Sequence, residues 1–121
     1  FEYEFACDDA LDEKLDLPPN QQIQIYRIAQ EALSNICRHA NARHVKMSAM
    51  VQDGNVFELA IADDGRGFDR SEAKKKPGRG VANIRARASM IDADVEWNKR
   101  AGGGTVFRMH KKQAGQALSS E

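Results

Sequence analysis

One stretch limits what this chain can be more than any other. Val56-Phe57-Glu58-Leu59-Ala60-Ile61 alternates in the strand period and runs directly into Asp63-Asp64-Gly65-Arg66-Gly67-Phe68. Successive strand side chains point to opposite faces, so Asp63 falls on the face of Phe57, Leu59 and Ile61 while Asp64 turns away. If that face is buried, Asp63 is a carboxylate at the rim of a core. A desolvated carboxylate needs a donor, and a ligand N–H group is a natural one. Gly65 and Gly67 carry no Cβ and let a flat ligand approach the backbone. The competing reading is a hairpin turn, because Asp-Gly is a strong turn signal. It fails to find its second strand: residues 69–78 are polar and charged throughout. The spacing therefore favours a binding site at the end of a strand.

Upstream, Phe1 to Ala6 alternates aromatic and acidic residues, as expected of a strand with one buried face. An acidic connection follows to Leu17, its middle able to form a helical turn. Pro18-Pro19 then sets up a helix start. Across residues 20–40, Ile25, Tyr26, Ala29, Ala32, Leu33, Ile36 and Ala40 form one apolar stripe at helical spacing. Glu31, Asn35 and His39, at i, i+4 and i+8, line one margin of it with Ile28. Acid, amide and imidazole in a row beside a core suit a metal–phosphate group, since carboxylate and amide oxygens favour a hard cation such as Mg²⁺. A solvated helix edge would show the same trio. The second acidic site, at Asp63, is what tips the balance.

Val45, Met47, Ala49 and Val51 alternate, Asp53-Gly54 supplies a turn, and the chain returns through Val56 to Asp63, so a hairpin connects the helix to the acidic site. The polar segment 69–78 reads as a loop whose Lys74, Lys75 and Lys76 are available to an anion or simply solvated. Gly78-Arg79-Gly80 opens a second helix marked by Val81, Ile84, Ala88 and Ile91, and a glycine-rich helix start offers free N–H groups and a favourable dipole to an anion. Residues 94–99 and 105–110 close the chain as a hairpin around Ala101-Gly102-Gly103-Gly104. Strand, helix, hairpin, loop, helix, hairpin predicts a two-layer α/β (α+β) sandwich: a mixed, largely antiparallel sheet with helices on one face.

Composition narrows the rest. At 121 residues the chain makes one domain, expected over 1–113, with a frayed small and polar tail at 114–121. Eighteen Lys and Arg balance eighteen Asp and Glu, so no bulk field argues for nucleic acid. No apolar run is long enough to span a bilayer. The absence of a Met at position 1 suggests a piece of a longer protein. Cys7 and Cys37 lack metal-like spacing, and Cys37, among apolar helix residues, is expected to be a reduced, packed thiol. There is no G-x-x-x-x-G-K-[ST], and neither glycine pair extends to G-x-G-x-x-G, so neither a P-loop nor a Rossmann site is supported.

The order of these motifs resembles the GHKL ATPase superfamily and its Bergerat fold. Glu31-Ala32-Leu33-Ser34-Asn35 with His39-Ala40 is similar to its N box, Asp63 to Phe68 to the first glycine box, Gly78-Arg79-Gly80-Val81 to the second, and Gly102-Gly103-Gly104-Thr105 to the closing glycine–threonine element. The wording of residues 31–42 and 80–88, and the short connection between Phe68 and Gly78, resemble the ATP-binding domain of nitrate-sensor-type bacterial histidine kinases (the HisKA_3-like group). Arg79 departs from the pattern, which usually has an apolar residue between these glycines.

The resemblance implies a role for each matching position. Asp63 accepts from the adenine amino group, Gly65 and Gly67 let the ring approach, and Thr105 binds near adenine through water. Asn35 is the Mg²⁺ ligand, Glu31 holds a metal water or helps deprotonate the acceptor, and His39 lies near the phosphates. Gly78, Gly80 and Val81 hold the lid around those phosphates. It further implies ATP and Mg²⁺ as ligands and transfer of the γ-phosphoryl group to a histidine on an upstream dimerisation domain. A downstream response regulator, a monomeric isolated domain, a homodimeric parent and a cytoplasmic location within a sensor that can be membrane-anchored follow from the same likeness. None of His39, His44 and His110 is placed as an acceptor, so the fragment is expected to bind ATP without labelling itself. An anti-sigma-type serine kinase and a non-catalytic interaction module are the alternatives on the same fold; the intact Glu31, Asn35 and Asp63 argue against the latter.

Overall fold

Residues 56–63 bury every second side chain, and this strand is the centre of the sheet. A computed structural model describes residues 2–7, 11–40, 42–52, 54–65 and 79–113, apart from the side chains of residues 12, 39, 40 and 79. The expectations for Gly67 and Gly78, for the 69–78 loop and for the tail concern residues outside those described. In chain order the elements are β1 (Glu2–Cys7), α1 (Leu11–Lys14), α2 (Pro19–Asn35, continued by a π-helical turn, Ile36–Ala40), β2 (His44–Gln52), β3 (Val56–Asp63), α3 (Arg79–Met90), β4 (Asp94–Lys99) and β5 (Thr105–Lys112). The five strands pair in the order β1-β2-β3-β5-β4. Only β1–β2 is parallel; the other three pairings are antiparallel, giving the mixed, largely antiparallel sheet expected.

Helices α2 and α3 cover one face. Ile28, Ala32 and Ile36 of the first and Ile84 and Ala88 of the second pack with Val45, Met47, Ala49, Phe57, Leu59, Ile61, Phe107 and Met109 of the sheet. Arg87 Nη1 donates to Gln24 Oε1 at 2.9 Å, joining the two helices. The Arg85 guanidinium stacks over Trp97 at 5.0 Å, and Trp97 tilts against Phe107 with ring centroids 5.1 Å apart, fastening α3 over β4 and β5.

Three expectations change. The buried ridge of α2 is rotated from the predicted stripe: Ile28, placed on the margin, is fully buried, and Tyr26, placed in the stripe, is 62% exposed. The packed α3 decides this, because it draws the Ile28–Ala32–Ile36 row inward and leaves Tyr26 pairing its hydroxyl with Gln30. Strand β1 has no buried face. It is an edge strand, and Tyr3 and Phe5 stand beside Val45 and Met47 on the helix side, yet each is more than half exposed. Alternation shows which residues share a face but not whether a helix reaches over them. Cys37 is exposed rather than packed, because the π-helical turn after Asn35 changes the phase of the helix.

Between β2 and β3 the connection is three residues, 53–55, with Gly54 and Asn55 both at positive φ; Asn55 joins the glycine that the sequence singled out. The connection ends in a polar knot. The Gln113 side chain, almost fully buried, accepts from Asp16 N–H at 2.6 Å and donates to the Lys14 carbonyl at 3.0 Å and to Asn55 Oδ1 at 2.7 Å. Its main-chain N–H donates to the Asn55 carbonyl at 3.0 Å.

Candidate functional site

Asp63 is the last residue of β3 and only 3% exposed. Cross-strand register sets it between Val45 and Thr105, on the side covered by the helices. Its Oδ1 accepts the Gly65 N–H at 2.9 Å, an Asx turn that bends the chain as it leaves the sheet. Burial pushes the carboxyl above the usual carboxylate range, and the neighbouring Asp64 charge adds to that. The Gly65 N–H, the Arg100 guanidinium and the Thr105 N–H pull the other way. A nearly buried carboxylate with a glycine turn at its rim is suited to accept an N–H group from a flat ligand.

Asp64 faces the opposite way and does different work. Its Oδ1 accepts the N–H groups of Arg43 and His44 at 2.8 and 2.9 Å, and the His44 Nδ1–H donates to Oδ2 at 2.6 Å. These donors, His44 first, hold its carboxyl far below the ordinary carboxylate range. The Asp64 N–H returns a bond to the His44 carbonyl at 3.3 Å. The second acid therefore ties the end of β3 to the start of β2.

The β4–β5 connection grips Asp63 from the other side. Arg100 Nη1 donates to the Asp63 carbonyl at 2.8 Å. Gly104, at φ +100°, lies so close that a Cβ there would overlap the Asp63 carbonyl oxygen and sit 2.9 Å from both its carbonyl carbon and Asp64 Cα.

A second group forms where α2 meets α3. Asn35 ends the regular part of α2, and the Ile36 N–H is shared between the Ala32 and Leu33 carbonyls as the π-helical turn begins. Gly80 lies in the first turn of α3, buried against Asn35: a Cβ on it would overlap the Asn35 amide oxygen and lie 2.7 Å from Cγ and Nδ2. The absence of a side chain at residue 80 is what lets an amide lie against a helix N-terminus, where free N–H groups favour negative charge. Glu31 stands one turn before Asn35 and is half-buried; Val81, next to Gly80, is half-buried too. His39 lies in the π-helical turn, its side chain outside the description.

Of the predicted residues, then, Asp63, Gly65 and Thr105 form one group and Asn35 and Gly80 another, with Glu31 and Val81 flanking the second. Arg100 and the Asp64–His44 pairing were not foreseen. Asp64 could have been suspected as the partner of a strand start, since an outward carboxylate at a strand end seeks main-chain donors. Nothing in the periodicity singles out Arg100.

Comparison with known proteins points one way. Residues 20–115 match the family described as histidine kinase-, DNA gyrase B-, and HSP90-like ATPase. The histidine-protein kinase/phosphatase DegS of Bacillus subtilis (strain 168) is 30% identical over 93 residues, covering 75% of this chain and 24% of the relative. The nitrate/nitrite sensor protein NarX of Escherichia coli (strain K12) is 32% identical over 89 residues, covering 74% and 14% respectively. The chain thus spans a quarter or less of the length of these two relatives. The solved histidine kinase domain of the blue-light activated kinase of Erythrobacter litoralis EL346 superposes with a TM-score of 0.78 at 20% identity, covering 97% of this chain and 57% of that one. Fold, ordered motifs and family match agree, and the chain belongs to the histidine kinase-, DNA gyrase B- and HSP90-like ATPase family.

Proposed function

We propose that this chain is the ATP-binding catalytic domain of a two-component sensor histidine kinase, which transfers the γ-phosphoryl of ATP to a histidine on an upstream dimerisation domain. The observation that carries this reading is Asp63: a carboxylate almost fully withdrawn from water at a strand end, bordered by a glycine turn and by Thr105. In this reading Asp63 accepts from the adenine amino group, Gly65 and Gly67 admit the ring, and Thr105 supports it through water. Gly78 borders the phosphates, as do Gly80 and Val81 in the first turn of α3. His39 lies near those phosphates, and Glu31 orients a water or receives the acceptor's proton.

The residues around Asn35 fit a hard cation: an amide oxygen pressed against a helix N-terminus by a glycine, with the Glu31 carboxylate one turn away. Asn35 would hold Mg²⁺, which offsets negative charge on the phosphates. The protein's own part is mainly placement, since phosphoryl transfer depends on bringing acceptor and phosphate into line.

The likeness to DegS, a histidine-protein kinase/phosphatase, favours this reading over a serine kinase of the same fold. A response regulator downstream, a homodimeric parent and a cytoplasmic location complete the proposal; no helix among the described residues is long and apolar enough to cross a membrane. Incubation with γ-labelled ATP tests it. The domain alone should bind ATP and stay unlabelled. Adding the dimerisation segment of the same protein, even as a separate chain, should give acid-labile phosphate on that segment. Transfer should be slow without the effective concentration of a covalent link. Acid-resistant label on a serine would overturn the histidine-kinase assignment.

A further inference from the structure

Asp63 is the stronger acceptor when its carboxyl is ionised and its main chain is held still, and both conditions converge on one residue outside the recognised motifs. Arg100 opens the five-residue connection from β4 to β5. Its own backbone is fixed there, its N–H donating to the Gly104 carbonyl at 3.0 Å and its carbonyl accepting from Gly103 N–H at 3.2 Å. From that fixed base Nη1 reaches the Asp63 carbonyl at 2.8 Å. Arginine suits the position because one planar, permanently charged head can bond a main-chain oxygen and face a carboxylate at once.

Among the described residues, two charges act on the Asp63 carboxyl. Asp64, the next residue in the chain, opposes ionisation, and Arg100 favours it. The flanking strands place Val45 and Thr105 opposite it, both uncharged; Arg43 and His44 give their main-chain N–H groups to Asp64, and His44 its ring Nδ1–H as well. Among the described residues, no charged group of α2 or α3 acts on it. With burial working against the anion, the cation on the β4–β5 connection is the countercharge among the described residues.

We propose that Arg100 is a positioning residue for nucleotide recognition, fixing the Asp63 main chain and supplying the cation that faces its carboxylate. This rests on the reading of Asp63 as the adenine acceptor. The signature is a coupled loss of affinity and of its pH range, which a turn residue would not produce.

The experiment titrates the domain with ADP in EDTA, so that the metal does not contribute, across pH 5 to 8, for wild type, R100M, R100K and D63N, with thermal melting as a control for folding. R100M should weaken ADP binding about tenfold at neutral pH, the scale of one charge-assisted hydrogen bond. The pH at which affinity falls on acidification should move upward, because the carboxylate has lost its countercharge. R100K, keeping the charge without the planar fork, should restore the pH midpoint while recovering only part of the affinity. R100M with wild-type affinity and wild-type pH midpoint, alongside a weakened D63N, would overturn the role of Arg100 alone. An unchanged D63N would remove the adenine reading and this proposal with it.

Discussion

Gly104→Ala isolates a contact that holds the site together. Three consecutive glycines, 102 to 104, have φ of +86°, +113° and +100°, a region costly for any residue with a Cβ. At Gly102 and Gly103 a Cβ would meet nothing within 4 Å, so alanine there incurs only backbone strain, about 1–3 kcal/mol. At Gly104 the same methyl would overlap the Asp63 carbonyl oxygen and crowd Asp64 Cα. Main-chain atoms cannot rotate away as a side chain can, so an overpacking cost of about 1–3 kcal/mol adds to the strain. Gly104→Ala should therefore cost roughly 2–6 kcal/mol, a large part of the stability of a typical domain. Its melting temperature should fall further than that of either neighbour, at roughly 4 °C per kcal/mol for a chain of this length. Urea denaturation of the three single variants gives the comparison, with G102A and G103A as internal controls for strain. Equal losses at all three positions would refute the close approach of Gly104 to Asp63. If the approach is real, any G104A protein that still folds should also bind nucleotide more weakly, because the methyl displaces the main chain of Asp63, the proposed acceptor.

Other perturbations separate the two groups of the site. Asp63→Asn should weaken ADP binding about ten- to a hundredfold, the scale of a charged-group hydrogen bond, and more than Asp64→Asn, which calorimetry would show. The same Asp63→Asn change should hold or raise the stability of the ligand-free domain at neutral pH: burial raises the Asp63 pKa, so its ionised form disfavours the fold, a penalty relieved as pH falls through the folded-state value. Asp64 behaves oppositely. Its pKa is depressed in the fold, so its contribution is present above the unfolded carboxylate pKa and is lost in strong acid. Wild type and Asp64→Asn should differ in urea midpoint near neutrality and converge on acidification. Gly80→Ala should leave the melting temperature within a few degrees, since alanine favours the helix by about 1 kcal/mol. It should reduce the Mg²⁺-dependent gain in ATP affinity by displacing the Asn35 amide. Asn35→Ala should abolish that gain while ADP binding in EDTA remains; a surviving gain would mark the α2 margin as a solvated edge.

Much of the architecture was legible because it is written in local periods. Strands β2 to β5, both long helices and the inward direction of Asp63 follow from alternation of two and spacing of 3.6. What was misread depends on neighbours that a period does not encode. The spacing of Ile25, Tyr26 and Ala29 suggested one stripe, but the position of α3 selects the row through Ile28. Tyr3 and Phe5 alternate like buried residues, yet the edge strand leaves each more than half exposed. Cys37 moved to the surface through a π-helical turn, which an assumed α-helical phase cannot anticipate. In the candidate site, residue chemistry and motif order singled out Asp63, Asn35 and Gly80, and the structure buries Asp63 at a strand end and sets Gly80 against Asn35. Arg100 was not, because a guanidinium donating to a main-chain carbonyl 37 positions earlier has no sequence pattern.

The Gln113 knot bears on how this domain responds to force. It joins the chain just before α2, the 53–55 connection and the end of β5 at one place, beside the Val56 end of β3. Asp63 lies at the other end of that strand, about 23 Å away at roughly 3.3 Å per residue. Tension applied where the chain approaches α2 would be borne by a cluster of short hydrogen bonds acting as a rivet, in parallel with the sheet, before it reached the acidic turn. A pull from that side should swing the domain as a solid lever rather than pry open the strand end that carries Asp63.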